Sequence, residues 1–140
     1  MVDIHVRYTG GLRCEAVHGP SGARLTTDAP LDNHGRGESF SPSDLVATAL
    51  GACMLTIMGI VAERHGWDMQ GASARVKKEM VASPVRRIGR LVVVIAVPGV
   101  TEPAAQEALR KAALACPVHQ SLRAEIELPI EFEFGQPVRS

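Results

Sequence analysis

The sequence predicts an α+β fold in which antiparallel sheets surround one long buried helix. Three observations support this prediction. Short segments rich in β-branched residues lie near both ends of the chain, a long uncharged run with helix-start and helix-stop signals lies between them, and the final segment alternates apolar and acidic residues. The 140 residues, 46% of them hydrophobic, suffice for one domain with a core, so residues 1–140 are assigned to a single domain.

The first elements are strands. "IHVRY" and "LRCEAV" flank the turn sequence "TGG" and are typical of a β-hairpin, and "ARLTTD" adds a third strand. The following stretch, "APLDNHGRGESF", is rich in Gly, Asp and Asn and is typical of a loop.

The central helix has clear start and stop signals. Ser41 is a favourable N-cap, Pro42 suits the first helical position, and Asp44 opposes the positive end of the helix dipole. The pattern continues to His65, and Gly66 is a typical C-terminal stop.

The same helix carries no charge from Leu45 to Ala62, which predicts burial on every face. A transmembrane helix is the alternative, but 18 uncharged residues with two Thr, two Gly and four Ala are short and weakly hydrophobic for that purpose. A chain of 14.9 kDa has little material to cover such a helix, so we expect a homodimer to complete its burial.

In the second half of the sequence, "GASARVKKEMV" and "RRIGRLVVVIAV" are predicted to form two further long strands joined by a turn. Thr101 is then expected to cap a helix over "EPAAQEALRKAALA". The last element, "EIELPIEFEF", alternates in the manner of a strand with one buried face, and Pro129 on its polar face indicates an edge position or a bulge.

Composition argues against several classes of function. Fifteen basic and fifteen acidic residues cancel, which gives no support to nucleic-acid binding or to an anionic membrane partner. Three cysteines, an odd number, do not form a secreted disulfide framework, and no Cys/His spacing is typical of zinc. Because "MVDIHVRYTGG" lacks the apolar core of a signal peptide, we expect a cytoplasmic protein with free thiols.

Two cysteines lie in helical patterns, and their residues alone leave packing and chemistry both open. Cys53 lies among uncharged helical neighbours, which is typical of a small buried hydrophobe. Cys116 precedes Pro117, so it is expected to cap a short new helix whose backbone N–H groups would lower its thiol pKa, with His119 as a candidate assistant. If the two thiols lie close together, one could attack an oxidant and the other could resolve the sulfenic acid as a disulfide.

Two segments resemble the family of osmotically induced and organic-hydroperoxide-resistance proteins, the OsmC/Ohr family. "GESFSPSDLVATALGAC" is similar to the glycine-rich loop, helix start and first cysteine of that family, and "ALACPVHQSL" to its second-cysteine motif. "YTGGLR" resembles the opening hairpin of one subgroup. The order of elements matches across essentially the whole chain.

The resemblance implies an intertwined homodimer of the OsmC-like fold. It also implies a thiol peroxidase that reduces organic hydroperoxides without metal, haem or other cofactor. Cys53 corresponds to the peroxide-attacking cysteine and Cys116 to the resolving one, and a lipoyl group or another small dithiol would regenerate the enzyme.

The family also supplies an arginine, held by a carboxylate, to stabilise the thiolate and the departing oxygen. Arg13 is the first candidate and Arg36 the second, whereas each could equally be a solvated surface arginine. The family's glutamate position is occupied by Ser43, and the nearest acid, Asp44, is one residue later, which turns its side chain by about 100° on a helix. Asp44 is therefore either a replacement for that glutamate or only a helix-start acid.

Two other classes of function remain as hypotheses. One is a non-enzymatic member of the fold that acts as a redox sensor or binds a small apolar ligand. The other is a cysteine hydrolase, although no triad-like motif supports it. Cys14 matches no family cysteine and is interpreted as a packing residue.

Overall fold

The computed structural model describes residues 1–135 and has the predicted α+β fold. The chain forms two compact units, Met1–Val46 and Ala47–Ser140. The division falls within the helix that spans Pro42–His65.

The first unit contains a three-stranded antiparallel sheet. Its strands are β1 (Ile4–Gly10), β2 (Arg13–His18) and β3 (Arg24–Asp28), which pair in the order β1-β2-β3 as the sequence predicted. Because side chains alternate across a strand, one face carries Ile4, Val6, Tyr8, Cys14, Ala16 and Leu25, and the other carries Arg7, Glu15 and Arg24. A 3₁₀ turn over Leu31–Asn33 follows.

Helix α1 spans Pro42–His65, as the sequence predicted. Ser41 and Asp44 form a reciprocal capping box: the Asp44 N–H donates to Ser41 Oγ at 3.1 Å, and the Ser41 N–H donates to Asp44 Oδ2 at 2.9 Å. At the other end Gly66 has a φ of +71°, and the Trp67 N–H donates to the Ala62 carbonyl at 3.0 Å. This Schellman arrangement explains why the helix ends where glycine occurs.

In the single chain α1 is buried on one side only, and its complete burial in a homodimer stays a prediction. Six of its residues are buried: Ala47, Leu50, Gly51, Met54, Met58 and Ala62. Ala52, Thr56 and Ile60 lie on the exposed side. The helix is long and apolar enough to cross a membrane by length and composition, with 33% of the relevant window buried. A core helix of a soluble protein passes the same test, so this feature does not establish a membrane span.

The second unit contains a mixed three-stranded sheet. Strands β4 (Ser73–Val81) and β5 (Arg87–Val97) are antiparallel, whereas β6 (Ile130–Phe134) runs parallel to β5 at the sheet edge. Pro129 immediately precedes β6 and uses its carbonyl to accept the Val93 N–H at 2.9 Å. The predicted edge position of this segment is thus confirmed, although its strand is shorter than the alternation suggested.

Two helices complete this unit. Helix α2 spans Pro103–Leu114, and its N-cap is Glu102 without a side-chain cap, so the predicted cap at Thr101 is wrong by one residue. Helix α3 spans Pro117–Ser121 and begins directly after Cys116, as the Cys-Pro sequence predicted. The buried core of the unit unites α1, β5 and α2 through side chains such as Met54, Ile95 and Leu109.

Candidate functional site

Cys53 and Cys116 come together in the second unit, although 63 positions separate them in the sequence. The Cys53 side chain lies close enough to Cys116 to raise the pKa of its thiol, and both thiols are free. Cys116 is completely buried in the core cluster, whereas Cys53 is half-buried against it. The two cysteines therefore differ in burial: Cys116 is completely inaccessible, and Cys53 is only partly covered.

Cys116 is the N-cap of α3, and its Sγ accepts the His119 backbone N–H at 3.2 Å. Burial nevertheless raises the pKa of the Cys116 thiol above its ordinary value of 9.0, and the His119 N–H only partly offsets that rise. The adjacent Cys53 side chain raises this pKa further. The predicted lowering of the Cys116 pKa is thus wrong in sign, because removal from water outweighs the helix-start N–H groups.

His119, Cys14 and the two methionines near Cys53 are the remaining candidates from the sequence. His119 Nδ1 is buried and has no hydrogen-bond partner among the described residues. Cys14 lies between Tyr8 and Thr27 on the strands of the first unit and is half-buried. Met54 and Met58 are fully buried core residues. Within residues 1–135, no cluster of three or more His, Cys, Asp or Glu could hold a metal ion.

Arg13 is held by two carboxylates in the first unit. Its Nη2 donates to Glu38 Oε1 at 2.7 Å and to Asp28 Oδ2 at 3.3 Å. One-third of the Arg13 side chain remains exposed (33%), so the guanidinium is fixed without being removed from solvent. An arginine with two charged acceptors is unlike a solvated surface arginine.

Asp28 is the buried partner of Arg13. Its side chain is fully inaccessible, and its Oδ2 also accepts the Glu38 N–H at 3.0 Å. That N–H, together with the Arg13 charge, holds the pKa of the Asp28 carboxyl below its ordinary value of 3.8 against the opposing effect of burial. Oδ1 is buried and has no hydrogen-bond partner among the described residues.

The glycine-rich loop brings Glu38 to this cluster. A Cβ at Gly35 would overlap the Ala29 carbonyl, so the loop can turn back only with glycine at that position. Arg36, the second candidate arginine, is 82% exposed, and its Nη1 lies 3.9 Å from Glu38 Oε1. The structure thus distinguishes Arg13, which is anchored, from Arg36, which extends into solvent.

Asp44 lies at the start of α1, where its Oδ2 accepts the Ser41 N–H. This contact is the helix-start role that the sequence left as one of two possibilities. A catalytic role for Asp44 stays a prediction.

Sequence reasoning missed Asp28 and Glu38. The available signal was position: Asp28 ends β3 opposite Arg13 in the strand register, and Glu38 follows two glycines in a loop. Neither position belongs to the helix start, where the family carboxylate was sought.

Comparison with known proteins places these features in a family. Residues 35–131 match the profile of the OsmC-like protein family. No curated protein sequence matches the chain. A crystal structure from Psychrobacter arcticus, provisionally described as an osmotic stress induced and detoxification response protein, is 40% identical, with a TM-score of 0.89 and coverage of 95% of this chain and 96% of that one.

Two more distant structures share the fold. An organic hydroperoxide resistance protein OsmC from Legionella pneumophila is 17% identical, with a TM-score of 0.77 and coverage of 95% and 96% of the two chains. An organic hydroperoxide resistance protein from Elizabethkingia anophelis is 18% identical, with a TM-score of 0.76 and coverage of 96% of both.

Proposed function

Because the chain belongs to the OsmC-like protein family, whose relatives include redox-related and organic hydroperoxide resistance proteins, we propose that it is a thiol-dependent peroxidase acting on organic hydroperoxides. The observation that supports this proposal most directly is the pair of neighbouring free thiols, Cys53 and Cys116, in one core cluster. The different exposure of the two thiols suits their different roles in the reaction.

Cys53 is proposed to react first. Its thiolate attacks one oxygen of the hydroperoxide, the O–O bond breaks, and the second oxygen leaves as an alkoxide that takes up a proton to give the alcohol. Cys53 becomes a sulfenic acid and the peroxide is reduced by two electrons. Cys53 is only partly buried, which suits the sulfur that a peroxide must reach, whereas Cys116 is completely buried.

Cys116 then resolves the sulfenic acid. Its sulfur attacks Cys53, a disulfide forms, and water leaves with the sulfenic oxygen. Burial raises the pKa of the Cys116 thiol, which suits a sulfur that is proposed to act second. A dithiol reductant such as a lipoyl group would reduce the disulfide by two electrons and restore both thiols.

The cation of the reaction is proposed to be Arg13. A guanidinium stabilises the thiolate before the reaction and the developing alkoxide during it. Two carboxylates hold Arg13 in a defined position, which an electrostatic catalyst requires. Arg36 has the same charge but 82% of its side chain is exposed, so it is the weaker candidate.

A homodimer is proposed as the working form. Ile4, Val6 and Tyr8 on one face of the first sheet are 59%, 59% and 64% exposed, and Ile60 on α1 is 42% exposed. Exposed apolar rows of this kind mark surfaces that a partner covers. A second copy of the chain is the partner that the family resemblance implies. We also propose that the protein is cytoplasmic and that it binds neither nucleic acid nor a membrane.

The test is a thiol titration with cumene hydroperoxide. The reduced protein is expected to lose two thiols per equivalent of peroxide and to form one Cys53–Cys116 disulfide, identified by peptide mass spectrometry. Added dihydrolipoamide should then sustain peroxide consumption through many turnovers.

The matched control is Cys14→Ser, which removes the third thiol and should leave the stoichiometry of the pair unchanged. Oxidation of the pair without dithiol-driven turnover would favour the alternative of a non-enzymatic redox sensor or ligand-binding protein. Cleavage of esters or amides without peroxide consumption would instead favour a hydrolase.

A further inference from the structure

We propose that Glu38 and Asp28 position the guanidinium of Arg13 and thereby supply the carboxylate function from the end of β3 and the glycine-rich loop. This inference rests on the proposed function, in which Arg13 is the cation that assists Cys53. Glu38 and Asp28 are positioning residues, because they act through Arg13 and have no assigned contact with the reacting atoms.

The two carboxylates hold the same nitrogen of Arg13 from different settings. Asp28 is completely inaccessible and accepts the bond at 3.3 Å, whereas Glu38 is 56% exposed and accepts at 2.7 Å. Asp28 also accepts the backbone N–H of Glu38, so the buried acid fixes the segment from which the exposed acid projects. Together they form a two-carboxylate clamp with one buried and one exposed member.

The family's glutamate position at the start of α1 is occupied by Ser43. Ser43 carries no carboxylate, and Asp44 directs Oδ2 to the Ser41 N–H at 2.9 Å. The clamp instead comes from the end of β3 and from the glycine-rich loop, and both acids contact Arg13 directly.

Removal of the Glu38 charge has two opposing effects on the Cys53 thiol. If Glu38 acted only as a nearby negative charge, its loss would favour the thiolate and lower the thiol pKa. If Glu38 positions Arg13, its loss releases the cation and the thiol pKa rises. The direction of the change therefore separates positioning from simple charge repulsion.

The experiment measures the alkylation rate of Cys53 by iodoacetamide against pH in a Cys14→Ser, Cys116→Ser background. Glu38→Gln is expected to move the midpoint of this rate–pH curve to higher pH, in the same direction as Arg13→Met. Glu38→Asp, which keeps the carboxylate, should show a smaller shift. The Arg13→Met, Glu38→Gln double variant should show no further shift beyond Arg13→Met. Glu15→Gln, which breaks the ion pairs of Glu15 with Arg7 and Arg24 in the same sheet, is the matched control.

Peroxide turnover is measured in parallel with both native cysteines present. A one-unit rise in the thiol pKa would lower kcat/KM for cumene hydroperoxide by about tenfold at pH values below the midpoint. Asp28→Asn, checked for folding by circular dichroism, should shift the alkylation midpoint in the same direction as Glu38→Gln.

If folded Glu38→Gln has a lowered or unchanged midpoint of Cys53 alkylation, the proposed positioning role of Glu38 is wrong. If the wild-type protein turns over peroxide and Glu38→Gln alters neither its rate nor its midpoint, the clamp fails while the proposed function stands. If the midpoint shifts as expected but the wild-type protein consumes no peroxide, the clamp stands and the proposed function fails.

Discussion

The two compact units of the chain are stabilised by different interactions. In Ala47–Ser140, the described residues form a buried apolar core built on α1, β5 and α2. In Met1–Val46, the buried residues are polar: Thr27, Asp28 and Ser41. One unit depends on packing, and the other depends on sheet pairing, capping and ion pairs.

This difference also separates two kinds of chemistry. The packed unit contains the two thiols, and burial raises the pKa of the completely buried one, Cys116. The polar unit contains the anchored arginine, whose orientation depends on charged hydrogen bonds that remain strong only while the carboxylates are ionised. Substitutions that act on one kind of interaction should therefore have distinct signatures.

The largest effect is expected from the thiols. Cys53→Ser should lower the rate of cumene hydroperoxide consumption by at least about 100-fold, because a hydroxyl at neutral pH is a far weaker nucleophile than a thiolate. The rate is measured in a coupled dithiol assay. Cys14→Ser, in the polar unit, should retain the wild-type rate, and a comparable loss there would contradict the assignment of the chemistry to the packed unit.

Truncation in the core tests the packing side of the comparison. Met54→Ala removes a fully buried side chain and should lower the free energy of unfolding by about 2–5 kcal/mol, measured by urea denaturation. Val6→Ala, at a residue that is 59% exposed, would cost less than about 0.5 kcal/mol in a monomer.

The proposed homodimer changes that second expectation. If a second copy covers Val6, Val6→Ala should lower the midpoint of unfolding in a manner that depends on protein concentration. A midpoint independent of concentration in the wild-type protein would contradict the dimer.

The polar unit should respond to acid through Asp28. The folded pKa of Asp28 lies below the ordinary 3.8, so its contribution to stability is present above that value and is lost as the pH falls through the folded pKa. Asp28→Asn should therefore lower Tm at neutral pH, and the difference from wild type should shrink below about pH 4. The Tm of both proteins is measured by thermal unfolding at a series of pH values. A difference in Tm that stays constant with pH would contradict this role of Asp28.

The smallest effect is expected at the start of α1. Ser41→Ala removes the hydroxyl that accepts the Asp44 N–H and should cost about 1 kcal/mol. Urea denaturation measures this loss in the free energy of unfolding. Ser41→Asp, which retains an acceptor, should be nearly as stable as the wild type. No loss in Ser41→Ala would show that this cap is replaceable.

Most of the fold could be predicted because local signals agreed with the tertiary structure. The cap at Ser41, the stop at Gly66 and the alternation before Phe134 each determine a boundary or a face through short-range physics. The parallel pairing of β5 with β6 could not be read in the same way, since strand alternation carries no information about the direction of a neighbour.

The candidate site could be predicted only in part. The partnership of Cys53 with Cys116 was suggested by resemblance, because no local pattern joins residues so far apart in sequence. The pKa of Cys116 was misjudged because the cap geometry is visible in "CPVH" whereas complete burial is a property of the whole core. Asp28 escaped notice because its significance comes from a strand register and a loop that returns to it.

The cap of α3 has a consequence for detecting the oxidation state. Cys116 Sγ accepts the His119 N–H, and we expect a disulfide sulfur to be a poorer acceptor than the free thiol. Helix α3 has only five residues, so weakening that one bond should loosen its first turn. We therefore expect the amide proton of His119 to exchange with solvent faster after oxidation, which would make a single NMR resonance a reporter for the state of the buried sulfur.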